Sequence, residues 1–324
     1  MSKRLLFCLL AIFGIVLAAP AAAHGDEAVR FATLPKPGPG FPEGIAADAA
    51  GRIYVATFDF STTNVIYVFE PSGNVAATIS LPGVVPLGME FDRKGDLYVA
   101  NFGGGTILRF RPPFNSASVP AQTIQVCAGA GAGCGLNSIT FDDRGELYVS
   151  DSFGGKIFKV SLPQGRVTTF ASHDLLNPGN HGFPPFGANG LAFDAAFANL
   201  YVANTADDRI LKINVATKAV TTFSESINGA DGIAFDTQGR LWVAANQADE
   251  IVALNANGRI VERRGSFLGI GSDGAPQGLL FPASIVIKGE SIFVTNLALP
   301  LTPAVGDEPE EDVTTFTVSR VPLD

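Results

Sequence analysis

What the chain has little of narrows it first. Three histidines and three cysteines in 324 residues leave little material for a zinc or copper cluster. Cys8 falls in the N-terminal apolar segment, so only Cys127 and Cys134 remain for the body of the chain. Separated by AGAGAG, in an oxidising compartment they read as a disulfide stapling the loop into the third repeat. A redox or metal pair is the weaker reading, because the spacing matches no familiar metal knuckle and no histidine is near. Basic residues are also scarce, 22 Lys and Arg against 31 Asp and Glu, for a net charge of −9. Phosphate backbones need clustered cations, so nucleic acid is excluded as a partner. The one long apolar run, between Leu5 and Leu17, is too short to span a membrane comfortably.

That run follows Lys3 and Arg4 and precedes Ala21-Ala22-Ala23, the layout of a secretory signal. Residues 1–23 are therefore expected to be a signal peptide and residues 24–324 a single exported domain, secreted or periplasmic and free of the membrane after cleavage. An uncleaved anchor is the duller alternative, and Cys8 lacks the small-residue context of a lipid-modified cysteine. Loss of Lys3 and Arg4 moves the net charge from −9 to −11.

The body of the chain repeats. Six copies of one strand–turn–strand unit begin at Gly44 (GIAADAAGRIYVAT), Gly88 (GMEFDRKGDLYVAN), Ser138 (SITFDDRGELYVSD), Gly190 (GLAFDAAFANLYVAN), Gly232 (GIAFDTQGRLWVAA) and Ser284 (SIVIKGESIFVTN). Successive starts lie 42 to 52 residues apart, the period of a four-stranded propeller blade. The runs are β-branched and aromatic, bounded by Gly and Asp, and too short for helices. Further runs such as NVIYVFE from Asn64 and NVAATIS from Asn74 supply third and fourth strands in the first five copies. The sixth has its third strand after Val313 and lacks a fourth, which AVRFATL, from Ala28 to Leu34, would supply. The expected fold is all-β, a six-bladed β-propeller closed by the N-terminal strand and read as a monomer.

If the first strand of each blade lies nearest the axis, the residues preceding the six starts ring one mouth of the central channel. They are Glu43, Leu87, Asn137, Asn189, Asp231 and Ala283. Carboxylate and amide oxygens without His or Cys make a site for a hard divalent cation, calcium or magnesium. Asn and Asp also precede Gly in turns for backbone reasons alone. That explains Asn189-Gly190 and Asp231-Gly232, but not Glu43-Gly44.

Glu-Gly in the first blade, Asn in the third, Asn-Gly in the fourth and Asp-Gly in the fifth resemble the metal site of the senescence-marker-protein, gluconolactonase and luciferin-regenerating-enzyme family. That family comprises six-bladed propellers whose central divalent cation, often calcium, serves lactone and ester hydrolysis. The resemblance implies Glu43, Asn189 and Asp231 as direct metal ligands, Asn137 as a ligand or a contact to substrate, and Asp231 as general base. Members acting on sugar acid lactones usually carry an Arg two residues before the third-blade Asn. Here that position is Gly135.

Residues after each second strand return to the same mouth: Phe58, Asn101-Phe102, Asp151-Ser152-Phe153, Asn204-Thr205 and Asn296. The repeated Asn and Asp are expected to cap turns. Phe58, Phe102 and Phe153, with Phe183 and Phe186 from the loop that ends at Asn189, suggest an apolar mouth, packing between blades being the alternative for each ring. His181, in that same loop, has two readings, a second base leaning over the site or a solvated loop residue. The acidic run DEPEED from Asp307 reads as a solvated loop. Two function classes follow. One is a metal-dependent hydrolase whose small-molecule substrate is a lactone or ester, apolar in preference to gluconolactone. The other is a non-catalytic propeller that binds a ligand or protein at its mouth.

Overall fold

The computed structural model describes residues 28–179, 185–302 and 307–323. The expected signal peptide, His181 and Phe183 lie outside the described residues. Six four-stranded antiparallel sheets account for the architecture, joined by one small two-stranded sheet, Phe267–Ile270 with Pro276–Gly278. The small sheet, inserted between blades five and six, was not expected from sequence. Blades one to five span residues 42–81, 86–125, 136–172, 188–224 and 230–264, with their strands in chain order across each sheet. Blade six takes Pro282–Lys288, Ser291–Asn296 and Thr317–Pro322, then Val29–Thr33 as its outermost strand. Val29 pairs with Arg320 and Thr33 with Thr317, so the first strand closes the ring as expected. Among the described residues no helix is long and apolar enough to cross a membrane.

The repeat builds each blade locally. An Asp ending the first strand accepts backbone N–H groups of the following turn, as Asp236 Oδ1 does from Gln238 and Arg240 at 2.9 Å each. Gly239, at φ +77°, completes that reversal. The second strands are buried, Ile53–Thr57 and Leu241–Ala245 along their whole length and those of blades four and six after their first residue, because neighbouring blades cover both faces. The outer strand Arg166–Ser172 is largely exposed, with only Phe170 and Ala171 buried. Core clusters form between blades: Tyr54, Val68 and Ile79 of blade one pack with Met89, Val99 and Phe110 of blade two. Each such side chain contributes about 1.5–3 kcal/mol by burial. The first strands pack against one another around the axis, with blade six returning to blade one.

Candidate metal centre

Each first strand opens with a β-bulge. Pro42 pairs with Thr57 but Ile45 with Val55, so Glu43 and Gly44 together face one residue. The same shift recurs in the other five blades, at residues 86–89, 136–139, 188–191, 230–233 and 282–285. A bulge re-aims the side chain it carries. The following glycines are not turn residues, since Gly44, Gly88, Gly190 and Gly232 lie within strands and none has positive φ. They are needed for close approach: a Cβ on Gly44 would lie 1.9 Å from the Leu87 carbonyl oxygen, and one on Gly190 2.2 Å from that of Asp231. Glycine thus lets each inner strand press on the backbone of the next site residue. This replaces the turn explanation of Asn189-Gly190 and Asp231-Gly232.

Glu43, Asn137, Asn189 and Asp231 are all buried and line one cleft of about 40 Å³ on the axis. Opposite them, just past the ends of the second strands, a second ring decides how each is held. Asn137 Nδ2 donates to Ser152 Oγ at 3.2 Å, and that hydroxyl donates to the Ala188 carbonyl of the next blade at 2.8 Å. Asn189 Nδ2 donates to Thr205 Oγ1 at 2.9 Å, which donates to the Ala230 carbonyl at 2.8 Å. A carbonyl only accepts, so each hydroxyl must donate to it and accept from the amide. Both amides are thereby oriented with an N–H tied to the wall and the oxygen left for other use. In blade five, Asn246 Nδ2 donates to Asp231 Oδ2 at 3.1 Å. The Glu43 backbone carbonyl accepts from Thr295 Oγ1 at 2.8 Å, but its buried side-chain Oε2 has no hydrogen-bond partner among the described residues.

Burial drives the electrostatics. The Glu43 carboxyl is pushed well above its ordinary range, first by desolvation and then by the charge of Asp231. Asp231 rises to about 7, again chiefly by burial, with hydrogen bonds from Asn246 and Asn189 pulling the other way. Two carboxyls in one dry cleft cannot both ionise without a counter-charge. The donor set of two carboxylates and two amide oxygens, one carboxylate oxygen being orphaned, fits a hard divalent cation. Among the described residues no group of three or more His, Cys, Asp or Glu could hold a metal ion, and this cleft brings together only two, Glu43 and Asp231, with its other oxygens on amides.

The rest of the cleft is apolar, walled by Phe58, Phe186, Phe281, Leu297, Leu299 and Leu301. Phe102 and Phe153 do not line it; they stand behind Phe186, with Phe153 stacked on it at 5.7 Å and Phe102 edge-on at 6.0 Å. These rings occupy the space beside Gly135, where a Cβ would come within 2.6 Å of Phe102 and 3.2 Å of Phe153. The adjacent Cys127 and Cys134 are joined in a disulfide, as expected. The Asn and Asp after the second strands cap turns: Asp151 Oδ1 accepts from the N–H groups of Gly135, Phe153 and Gly154. Asn246, Phe281, Leu297, Leu299 and Leu301 escaped the sequence reading. The signal for Asn246 was available, because it follows its second strand in the same register as Ser152 and Thr205.

A six-bladed propeller with an axial cleft of oxygen donors is the class that the fold and site define. Residues 186–264, which span blades four and five and include Asn189 and Asp231, match the SMP-30/Gluconolactonase/LRE-like region. The resemblance read from single residues is thus found in these two blades. No curated protein sequence matches the chain. Among solved structures, a luciferin-regenerating enzyme is 16% identical, with 91% of this chain and 95% of that chain covered at a TM-score of 0.65. A calcium-binding regucalcin from Agrobacterium tumefaciens is 14% identical over 90% of this chain and 93% of its own, TM-score 0.64. A gluconolactonase from Xanthomonas campestris is 14% identical over 88% and 87%, TM-score 0.60. At these identities the likeness shows the fold.

Proposed function

We propose that the mature chain is an exported, monomeric hydrolase of lactones or related esters that depends on a divalent cation, calcium before magnesium. The observation that carries this is Glu43 Oε2, buried without a partner beside the buried Asp231. A chain gains nothing by burying such a group unless something outside the protein meets it. Glu43, Asn137, Asn189 and Asp231 would hold the cation. When bound, it would supply the charge that polarises a carbonyl and eases deprotonation of water.

The chain's own residues supply the rest. Asp231 accepts the proton on the carboxylate oxygen that is not turned to the cation. Asn137 stands beside the same space and contacts the substrate's polar end. Phe58, Phe186, Phe281 and Leu299 take an apolar substituent and keep water out. With Phe102 filling the space at Gly135, no guanidinium is offered to a sugar acid. The similarity in fold to a gluconolactonase and to a calcium-binding regucalcin agrees with this chemistry and leaves the substrate of this chain to the site.

The test is calorimetric titration of the chelator-treated protein with calcium and magnesium, followed by kcat/KM for gluconolactone and for a long-chain aliphatic lactone. One calcium per chain and a higher value for the aliphatic lactone are expected. Absence of cation binding overturns the reading, and calcium binding without Asp231-dependent turnover of any lactone leaves a binding propeller instead.

A further inference from the structure

The second ring holds one polar member whose hydrogen bonding does not close. Ser152 and Thr205 each accept from a site amide and pass a hydrogen bond on to the next blade. Asn246 occupies the same register in blade five, is only 2% exposed and lines the cleft, yet its Oδ1 has no partner among the described residues. Its backbone is pinned, with its N–H donating to the Gly229 carbonyl at 3.0 Å. Gly229, at φ +65°, leaves room for it, since a Cβ there would lie 1.7 Å from Asn246 Oδ1.

We propose that Asn246 is a fifth oxygen donor of the cation site, an inference that rests on the cation reading above. The two ends of an amide have nearly the same size, so a half-turn of the group exchanges Oδ1 and Nδ2 without repacking. In this structure Asn246 faces Asp231 with its nitrogen. Facing it with oxygen, it would stand 3.1 Å from Asp231 Oδ2, the spacing now held by Nδ2. Two oxygens that share a calcium ion at about 2.4 Å each come this close to one another. A residue serving only to anchor Asp231 would need a donor and no second, unmatched acceptor.

Two variants separate ligand from anchor. Asn246→Leu keeps the volume and removes both polar ends; Asn246→Asp keeps oxygen, adds charge and removes the donor. Calcium affinity is read by calorimetry, with circular-dichroism melts confirming that each variant folds. The expected result is about tenfold weaker binding for Asn246→Leu and affinity equal to or tighter than the parent for Asn246→Asp. If Asn246→Asp loses as much as Asn246→Leu, the residue is an anchor and the inference falls; so it does if Asn246→Leu binds like the parent. A parent protein that binds no divalent cation overturns the underlying reading instead, which keeps the two failures distinct.

Discussion

Blades three, four and five meet the mouth with Asn137 opposite Ser152, Asn189 opposite Thr205 and Asp231 opposite Asn246; blades six, one and two meet it with Ala283 opposite Leu297, Glu43 opposite Phe58 and Leu87 opposite Phe102. The strand geometry is the same in both arcs, bulge for bulge. In the polar arc every site residue has a partner just past the second strand that satisfies part of its hydrogen bonding. Glu43 is the exception that the other arc creates. Phe58 has no group to donate, so the Glu43 carboxyl opposite it keeps an oxygen with no partner among the described residues. The residue across the bulge, rather than the ligand residue alone, decides whether an oxygen is saturated by the protein or held open for a cation.

The comparison can be broken most strongly from its apolar side. Phe102→Ala should remove the ring that packs on Phe58, Phe153 and Phe186. A loss of about 3–5 kcal/mol is expected from the cavity, measured by denaturant unfolding. Calcium affinity should stay within about threefold, because no oxygen donor has moved. The polar side gives the next largest effect. Asp231→Asn should weaken calcium binding about 100-fold, on the order of 3 kcal/mol, and abolish turnover. Leu87→Asn, which adds an oxygen to the apolar arc, should not tighten binding if the arcs are as distinct as described.

Gly135→Arg tests whether restoring the family's guanidinium restores sugar-lactone turnover. With Phe102 and Phe153 in the way, the expected outcome is about 1–3 kcal/mol lower stability and no gain in kcat/KM for gluconolactone. A gain would show that the rings yield. The smallest effect concerns Glu90, a lone carboxyl three residues beyond Leu87 in the channel wall. Burial pushes it up to about 8, with the Thr140 hydroxyl pulling slightly back. Its folded value lies above its unfolded one, so its contribution is fully present below about pH 4.5 and is lost as pH rises through about 8. Glu90→Gln should therefore melt like the parent at pH 4 and be more stable at pH 9, by roughly 1–2 kcal/mol.

Much of this was readable before any coordinates. The Gly–apolar–Asp–turn–apolar repeat specifies strand, reversal and strand through local rules alone, and six copies at one period leave a closed ring as the way to cover both faces of every blade. The spare strand at Ala28 to Leu34 and the incomplete sixth blade pointed to each other for the same reason, an unpaired edge at each. Glu43, Asn137, Asn189 and Asp231 were readable because one register repeats. The insertion at residues 267–278 breaks the period and carries no such signal.

What the sequence by itself determined, then, was the ring and the positions that face its axis, since both follow from periodicity. Tertiary structure alone decided what those positions do. Whether an amide shows oxygen or nitrogen depends on a hydroxyl from the neighbouring strand and a carbonyl from the next blade. Whether Gly135 is an empty place or a filled one depends on Phe102 and Phe153. Whether Asn246 belongs to a turn or to the site depends on Asp231 lying 3.1 Å away. Each is a contact between residues far apart in the chain or in different blades, and side-chain chemistry at a site is set by such contacts rather than by spacing along one strand.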